Sequence, residues 1–471
     1  MHKPLLIVLA ILLGTCSKPP SLIEEIEREG ELRVAIRTSP TTYYIGSQGP
    51  EGPEYDLAKG FASFLGVDLK LIEVEHFSDV IPAVQSGAAH MAASGITVTP
   101  EREAQVDFGP VYQKVTQQLV YRRGTYRPRN IDDLQGRQLE IPPATSYAKT
   151  LEAIQRDNPD FVWVENPNAE TQDLLIDVAQ GIIDFTVADS TIVNIHQNFL
   201  PEIRVAKDLG DQDSLAWAFQ KRNDSSLLEE AHRYLGFIRE NGDLKRIEER
   251  YYGHAAEFDY VGTRTFKRHI DRRLSKYEDY FREAADVIDT DWRLLAAMSY
   301  QESHWNPSAV SHTGVRGLMM LTQNTARAVN VADRTDPKQS IDGGARYVKQ
   351  LHDRLSPEVP EPDRTWLALA AYNVGYGHLQ DAQNIVRRQR GDPNSWLDVK
   401  QALPKLAERK YHKDTKFGYA RGWEPVKYVE NIRTYYRILQ WLSDDEAGIQ
   451  TNDEPEKTIA ARQLFINRDA A

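Results

Sequence analysis

Apolar positions along residues 31–253 alternate between two rhythms. Short β-rich runs at 32–36, 69–74, 139–141, 161–164 and 185–187 read as strands, and helical spacing between them predicts helices at 55–65, 79–85, 147–155 and 171–180. Such alternation predicts α/β layers around a largely parallel sheet. From residue 266 to 442 alternating stretches almost vanish and helical periodicity takes over, so a second, all-α domain is expected. The fold class is therefore multidomain. Its expected boundaries are a leader at 1–15, an N-terminal linker at 16–29, the α/β domain at 30–253, a linker at 254–267, the helical domain at 268–442 and a mobile, charged tail at 443–471.

The leader rests on Lys3 and the apolar run from Leu5 to Leu13, a secretory pattern too short to span a bilayer. Cys16 is the single cysteine of 471 residues, which excludes an internal disulfide and a thiolate metal cluster. A formal charge of -12 disfavours nucleic acid as a partner. His304 and His312 lack metal-ligand spacing and no His-Glu-x-x-His occurs, so neither metal nor cofactor is expected.

Leu13-Gly14-Thr15-Cys16 resembles the lipobox of bacterial lipoproteins, with Thr15 a departure from the usual small residue. That resemblance implies a lipid on Cys16, and the lack of Asp just after it implies the periplasmic face of the outer membrane. Gly95-Ile96-Thr97-Val98-Thr99-Pro100-Glu101-Arg102, followed by Val106-Asp107-Phe108, resembles the family 3 solute-binding proteins, periplasmic amino-acid binders with two α/β lobes that close on a ligand. It implies a site for a small peptide or amino acid, and two sites fused in one chain lead to the expectation that this one is regulatory. Thr97, Arg102, Thr145, Ser146 and Asp189 would form it, with Arg102 on the ligand carboxylate and Asp189 on its amine. A guanidinium fork matches a carboxylate with two parallel hydrogen bonds. Pro142-Pro143-Ala144 replaces the family's glycine, which reshapes the second lobe's part of the site. Outside the motif Arg102 reads as a surface partner of Glu101 or Glu103, and Asp189 as a helix cap.

In the helical domain, Leu295, Met298 and Glu302 share a helix face, which places a carboxyl among apolar neighbours. Desolvation there raises its pKa and suits it to donate a proton near neutral pH. A structural pairing with an arginine is the bland alternative. Glu302-Ser303, Asn306-Pro307, Gly317-Leu318-Met319-Met320-Leu321-Thr322 and Ala371-Tyr372-Asn373-Val374-Gly375 resemble, in order, the Slt-type lytic transglycosylases, which have a lysozyme-like helical fold. The resemblance implies peptidoglycan glycan strands as substrate and Glu302 as the catalytic acid and base. It places Ser303, Ser311, Thr313, Met319, Met320, Tyr372, Asn373 and Tyr428 along the substrate cleft, although Met320 stands where many relatives have a sugar-contacting Gln. For Tyr372 and Tyr428 a core aromatic is an open alternative, and Trp292, Trp305 and Trp366 read as core.

Ordinary glycosidases use two carboxyl groups. After Glu302 the next acid is Asp333. With one carboxyl, the substrate's own hydroxyl or acetamido group must supply the nucleophile, which predicts an anhydro end on the muramic acid. The competing expectations are a wall-ligand receptor without catalysis and a hydrolytic muramidase.

Overall fold

A computed structural model describes residues 20–46, 49–253, 260–311 and 314–449. The leader, Cys16 and Thr313 lie outside these residues, as does the tail from 450 onward.

The first domain has two lobes. The sheet of the first lobe runs in the order Asp68–Val74, Glu31–Arg37, Met91–Ala92, Ala218–Gln220, Val106–Phe108. Its first three strands are parallel and Ala218–Gln220 joins them antiparallel. The second lobe's sheet runs Ile203–Leu215, Gln113–Arg122, Phe185–Asp189, Leu139–Ile141, Val164–Glu165. The chain thus crosses between lobes twice, at 109–112 and near 216.

The predicted strands and helices are present with one exception, and one long strand pair was not foreseen. At 161–164 only Val164 enters a sheet, because Phe161 is turned into the core by its amide's bond to Asn158 O. The long pair Gln113–Arg122 and Ile203–Leu215 was not among the predicted strands. Ile203–Leu215 carries Gly210 and three aspartates, and two register shifts interrupt its pairing, so it has neither alternation nor strand composition.

The second domain is helical. Helix Trp292–Ser303 packs against Trp423–Ile449, which also holds Asp363–Val374. Asp291 starts the first of these by accepting from the amide of Arg293 at 2.9 Å while binding its guanidinium, a cap worth about 1 kcal/mol. Leu295, Ala296, Ala297 and Met298 are all fully buried, so the middle of this helix is core on every side and only its ends reach the surface.

Two expected boundaries shift. Residues 254–267 were expected as a linker, but helix Tyr260–Arg272 occupies the second half of that stretch. Phe266 is fully buried with its ring 4.5 Å from Tyr300 and 4.6 Å from Tyr435, which secures the helix by roughly 2 kcal/mol of apolar burial. The final helix continues past Leu442 to Ile449.

The two domains pack on each other. From the first lobe, Glu249 accepts from Arg433 at 3.0 Å and from Lys400 at 2.5 Å, while Arg433 also meets Glu430 at 3.1 Å and donates to the carbonyls of Glu249 and Arg250. From the second lobe, Phe199 stacks on Trp441 at 5.3 Å. One helix, Trp423–Ile449, therefore touches both lobes.

Candidate active site and ligand cleft

Glu302 stands on the last turn of helix Trp292–Ser303, where the chain leaves the core. It is half-buried. Tyr428 donates its hydroxyl to Glu302 Oε1 at 2.6 Å. Burial pushes the carboxyl up to about 7 and the Tyr428 bond offsets part of that rise. No arginine pairs with Glu302, and no second carboxylate among the described residues influences it, so the bland structural reading is set aside. Asp333 is exposed and binds the amide and hydroxyl of Thr335 in its own loop.

The predicted cleft residues divide into two groups. Tyr428 and Tyr372 face Glu302: the negative carboxylate disfavours ionisation of both phenols, after burial. Tyr372 also donates to Met319 O at 2.8 Å, which ties the Ala-Tyr-Asn helix to the Gly-Leu-Met-Met loop. Asn373, next on that helix, is exposed. Met320 is half-buried with a φ of 47°.

Ser303 and Met319, expected to meet substrate, do not face the cleft. The Ser303 hydroxyl lies 2.9 Å from Leu318 O and 3.1 Å from Ser299 O, so its proton is committed to the backbone. It works with Ser299, which also reaches Leu318 O, to strap the loop beside the acid. Met319 is fully buried and packs on Gly344, where an added Cβ would stand 2.6 Å from its Cε. Ser311 accepts from Val315 N at 3.0 Å within a tight loop. The loop needs Gly317, whose φ is 90° and whose Cβ would lie 1.8 Å from Arg334 O.

The second constellation lies between the lobes of the first domain. Arg102 is buried, its Nη1 donating to Thr97 O at 2.8 Å and its Nη2 to Ala144 O of the other lobe at 2.9 Å. It pairs with neither Glu101 nor Glu103; Lys149 takes Glu101. Thr99 caps the short turn that carries it. Phe77 lies under the guanidinium at 5.2 Å. Desolvation pulls the Arg102 pKa down from its ordinary value.

Asp189 occupies a helix N-cap position, yet its side chain makes no capping bond, and its Oδ1 is buried without a partner. Burial and then the nearby Asp213 push it up to about 7, against Arg102. Ser146 lies 3.3 Å from Thr97 across the cleft. Thr145 turns its hydroxyl to Pro142 O at 3.0 Å, and Ala144 takes a φ of 59°, so the Pro-Pro-Ala departure bends this loop back on itself and lends Ala144 O to Arg102.

Arg37 and Glu170, which the sequence did not single out, form a 3.0 Å ion pair across the same cleft. A helix-preceding Glu was the one visible signal for Glu170. These groups offer a buried cation, a carboxyl with one unpartnered oxygen and hydroxyls within one cleft. That donor set matches a small zwitterion. Among the described residues no cluster has the makeup of a metal centre.

Residues 32–254 match the model for bacterial extracellular solute-binding proteins, family 3, and residues 279–394 match the transglycosylase SLT domain. An ancestral amino acid-binding protein, described as a precursor of cyclohexadienyl dehydratase, superposes on 49% of this chain and 100% of its own with 24% identity and a TM-score of 0.44. The membrane-bound lytic murein transglycosylase F of Saccharophagus degradans is 46% identical over 449 residues, covering 95% of this chain and 90% of that protein. Its counterpart from Ectopseudomonas mendocina is 46% identical over 440 residues, covering 93% and 90%. An acid among tyrosines in a helical domain, an α/β domain before it, and identity of this level over nearly the whole length place the chain in the membrane-bound lytic murein transglycosylase F family.

Proposed function

We propose that the chain cleaves the β-1,4 bond between N-acetylmuramic acid and N-acetylglucosamine in peptidoglycan without consuming water, leaving 1,6-anhydromuramic ends. The reading is carried by Glu302, a carboxyl held near neutrality with a tyrosine rather than a second acid beside it. In protonated form Glu302 gives its proton to the glycosidic oxygen as the C1–O bond breaks. The resulting carboxylate then takes the proton of the muramic C6 hydroxyl as that oxygen bonds to C1, which returns the acid. Proton and oxygen are conserved, so no water-activating carboxylate is needed. Tyr428 stabilises the carboxylate between the two halves of the cycle. By the family resemblance Met320, Tyr372, Asn373, Ser311 and Thr313 contact the glycan strand.

Mass spectrometry of soluble products from peptidoglycan, made with the intact chain and with Glu302→Gln, tests this. Muropeptides one water lighter than hydrolytic products, formed only by the intact chain, are expected. Reducing ends dependent on Glu302 would make the chain a hydrolase, and no Glu302-dependent product would favour a receptor.

The first domain binds a small peptide or amino acid through Thr97, Arg102, Thr145, Ser146 and Asp189 and regulates the acid. The route is helix Trp423–Ile449, which carries both Tyr428 and the Arg433 contact to the first lobe. A ligand regulates only as far as it favours one lobe arrangement over another. If ligands that demonstrably bind leave turnover unchanged, the regulatory part fails. No helix among the described residues is long and apolar enough to cross a membrane. Acylated Cys16 anchors the chain at the periplasmic face of the outer membrane; incorporation of a labelled fatty acid, lost in Cys16→Ser, tests the anchor.

A further inference from the structure

Between the short helix Arg409–His412 and Trp423, three large aromatic side chains stand in solvent: Phe417 at 47% exposure, Tyr419 at 56% and Trp423 at 50%. Exposed aromatics gathered in one segment are uncommon on a surface with no partner. The segment is also firmly held. Buried Asp381 accepts from the amides of Lys416 at 3.0 Å and Phe417 at 2.8 Å. Phe417 lies on Gly377, where an added Cβ would meet the ring at 2.7 Å, and Tyr419 meets His412 edge-on at 5.7 Å.

Its two anchors adjoin elements that carry predicted cleft residues. Gly377 and Asp381 belong to helix Tyr376–Arg388, which starts three residues after Asn373, and Trp423 begins the helix that carries Tyr428. Charge sets the segment apart as well. In a chain of net charge -12, residues 409–427 hold six Lys and Arg against two Asp and Glu. Ion pairs engage Lys410 with Glu408 and Arg421 with Glu424, while Lys416 lies over the Phe417 ring.

We propose that Phe417, Tyr419 and Trp423, with the cations between them, form an accessory binding surface for the glycan strand, extending the cleft beyond the sugars next to Glu302. Sugar rings present flat C–H faces that stack on aromatic side chains, and the stem peptides of peptidoglycan carry carboxylates that meet the Lys and Arg residues. The proposal rests on the transglycosylase reading. An anionic membrane surface would also attract aromatics with Lys and Arg; attachment to the helix that follows Asn373 and to the one that carries Tyr428 favours the strand.

The test is co-sedimentation of the full chain with insoluble peptidoglycan sacculi, in a Glu302→Gln background so that binding is read without cleavage. Substituting Tyr419→Ala with Trp423→Ala, which leaves the packed Phe417 in place, should weaken pelleting about 10-fold, and Trp423→Phe should recover most of it. Lys413→Glu with Lys416→Glu touches no core residue and should weaken pelleting and flatten its salt dependence. In the active chain the aromatic pair should raise KM for sacculi more than it lowers kcat. Undiminished pelleting of both pairs overturns the proposal. So does a loss seen with vesicles of phosphatidylglycerol and phosphatidylethanolamine but not with sacculi. Failure of the catalytic reading would instead appear as absent anhydro products from the intact chain.

Discussion

Glu302 and Asp189 are two carboxyl groups pushed to about 7 by the same cause, burial, in two different domains. Their surroundings differ. Asp189 sits among charges, with Asp213 raising and Arg102 lowering its pKa, and keeps one oxygen without a partner. Among the described residues Glu302 has no charged neighbour acting on it and a single hydroxyl partner. Desolvation alone therefore does not define a role. A carboxyl balanced between fixed charges is prepared to receive a charged ligand, whereas one balanced by a neutral hydroxyl passes a proton in both directions at little cost.

The sharpest way to break this contrast is Glu302→Gln, which keeps shape and removes the proton. Release of anhydro muropeptides should fall by about 10³-fold, within the range of general acid–base catalysis. An undiminished rate would return Glu302 to a structural role.

The next effect concerns binding. Arg102→Ala should weaken a zwitterionic ligand by about 3 kcal/mol in calorimetry, because it removes the charged fork and leaves Asp189 unbalanced. Asp189→Asn should cost less, roughly 1–2 kcal/mol, and should abolish proton uptake or release on binding near pH 7. Equal proton exchange in both proteins would show that Asp189 does not titrate with the ligand.

Stability offers a smaller, signed test. Glu302 has an ordinary value of 4.5 and a folded value of about 7. Below pH 4.5 it is protonated in both states. Between 4.5 and 7 the unfolded chain gives up the proton more readily, so the folded state loses stability as pH rises. Glu302→Gln lacks this loss. Its unfolding free energy should match the intact chain near pH 4 and exceed it at pH 8 by about 3 kcal/mol, read as a higher thermal midpoint.

Tyr428→Phe should give the smallest change, about a 10-fold loss of rate. Without the hydroxyl the pKa of Glu302 rises further, so the alkaline limb of the rate profile should move to higher pH. A limb that stays in place would show that Tyr428 packs near the acid without tuning it.

Much of the molecule was legible along the chain. The change from alternating to helical rhythm near residue 266 separated an α/β domain from a helical one, because side-chain periodicity follows directly from backbone geometry. Glu302 was legible for the same reason: position on a helix face is local information. Ser303 and Met319 were misplaced because adjacency in a motif does not tell which way a side chain points. Ser303 turns to Leu318 O, and Met319 fills the space left by Gly344.

The sequence by itself determined the two fold classes, the presence of one acid without a near neighbour in the chain, and the Arg102 motif. Only the tertiary structure decided that Tyr428, 126 residues away, supplies the hydroxyl to Glu302, and that Arg37 meets Glu170 across the cleft. It also decided that the long pair at 113–122 and 203–215 forms, and that one helix joins both lobes to the acid. These contacts depend on burial and on hydrogen bonds between distant segments, whose energies arise only once the chain has closed on itself.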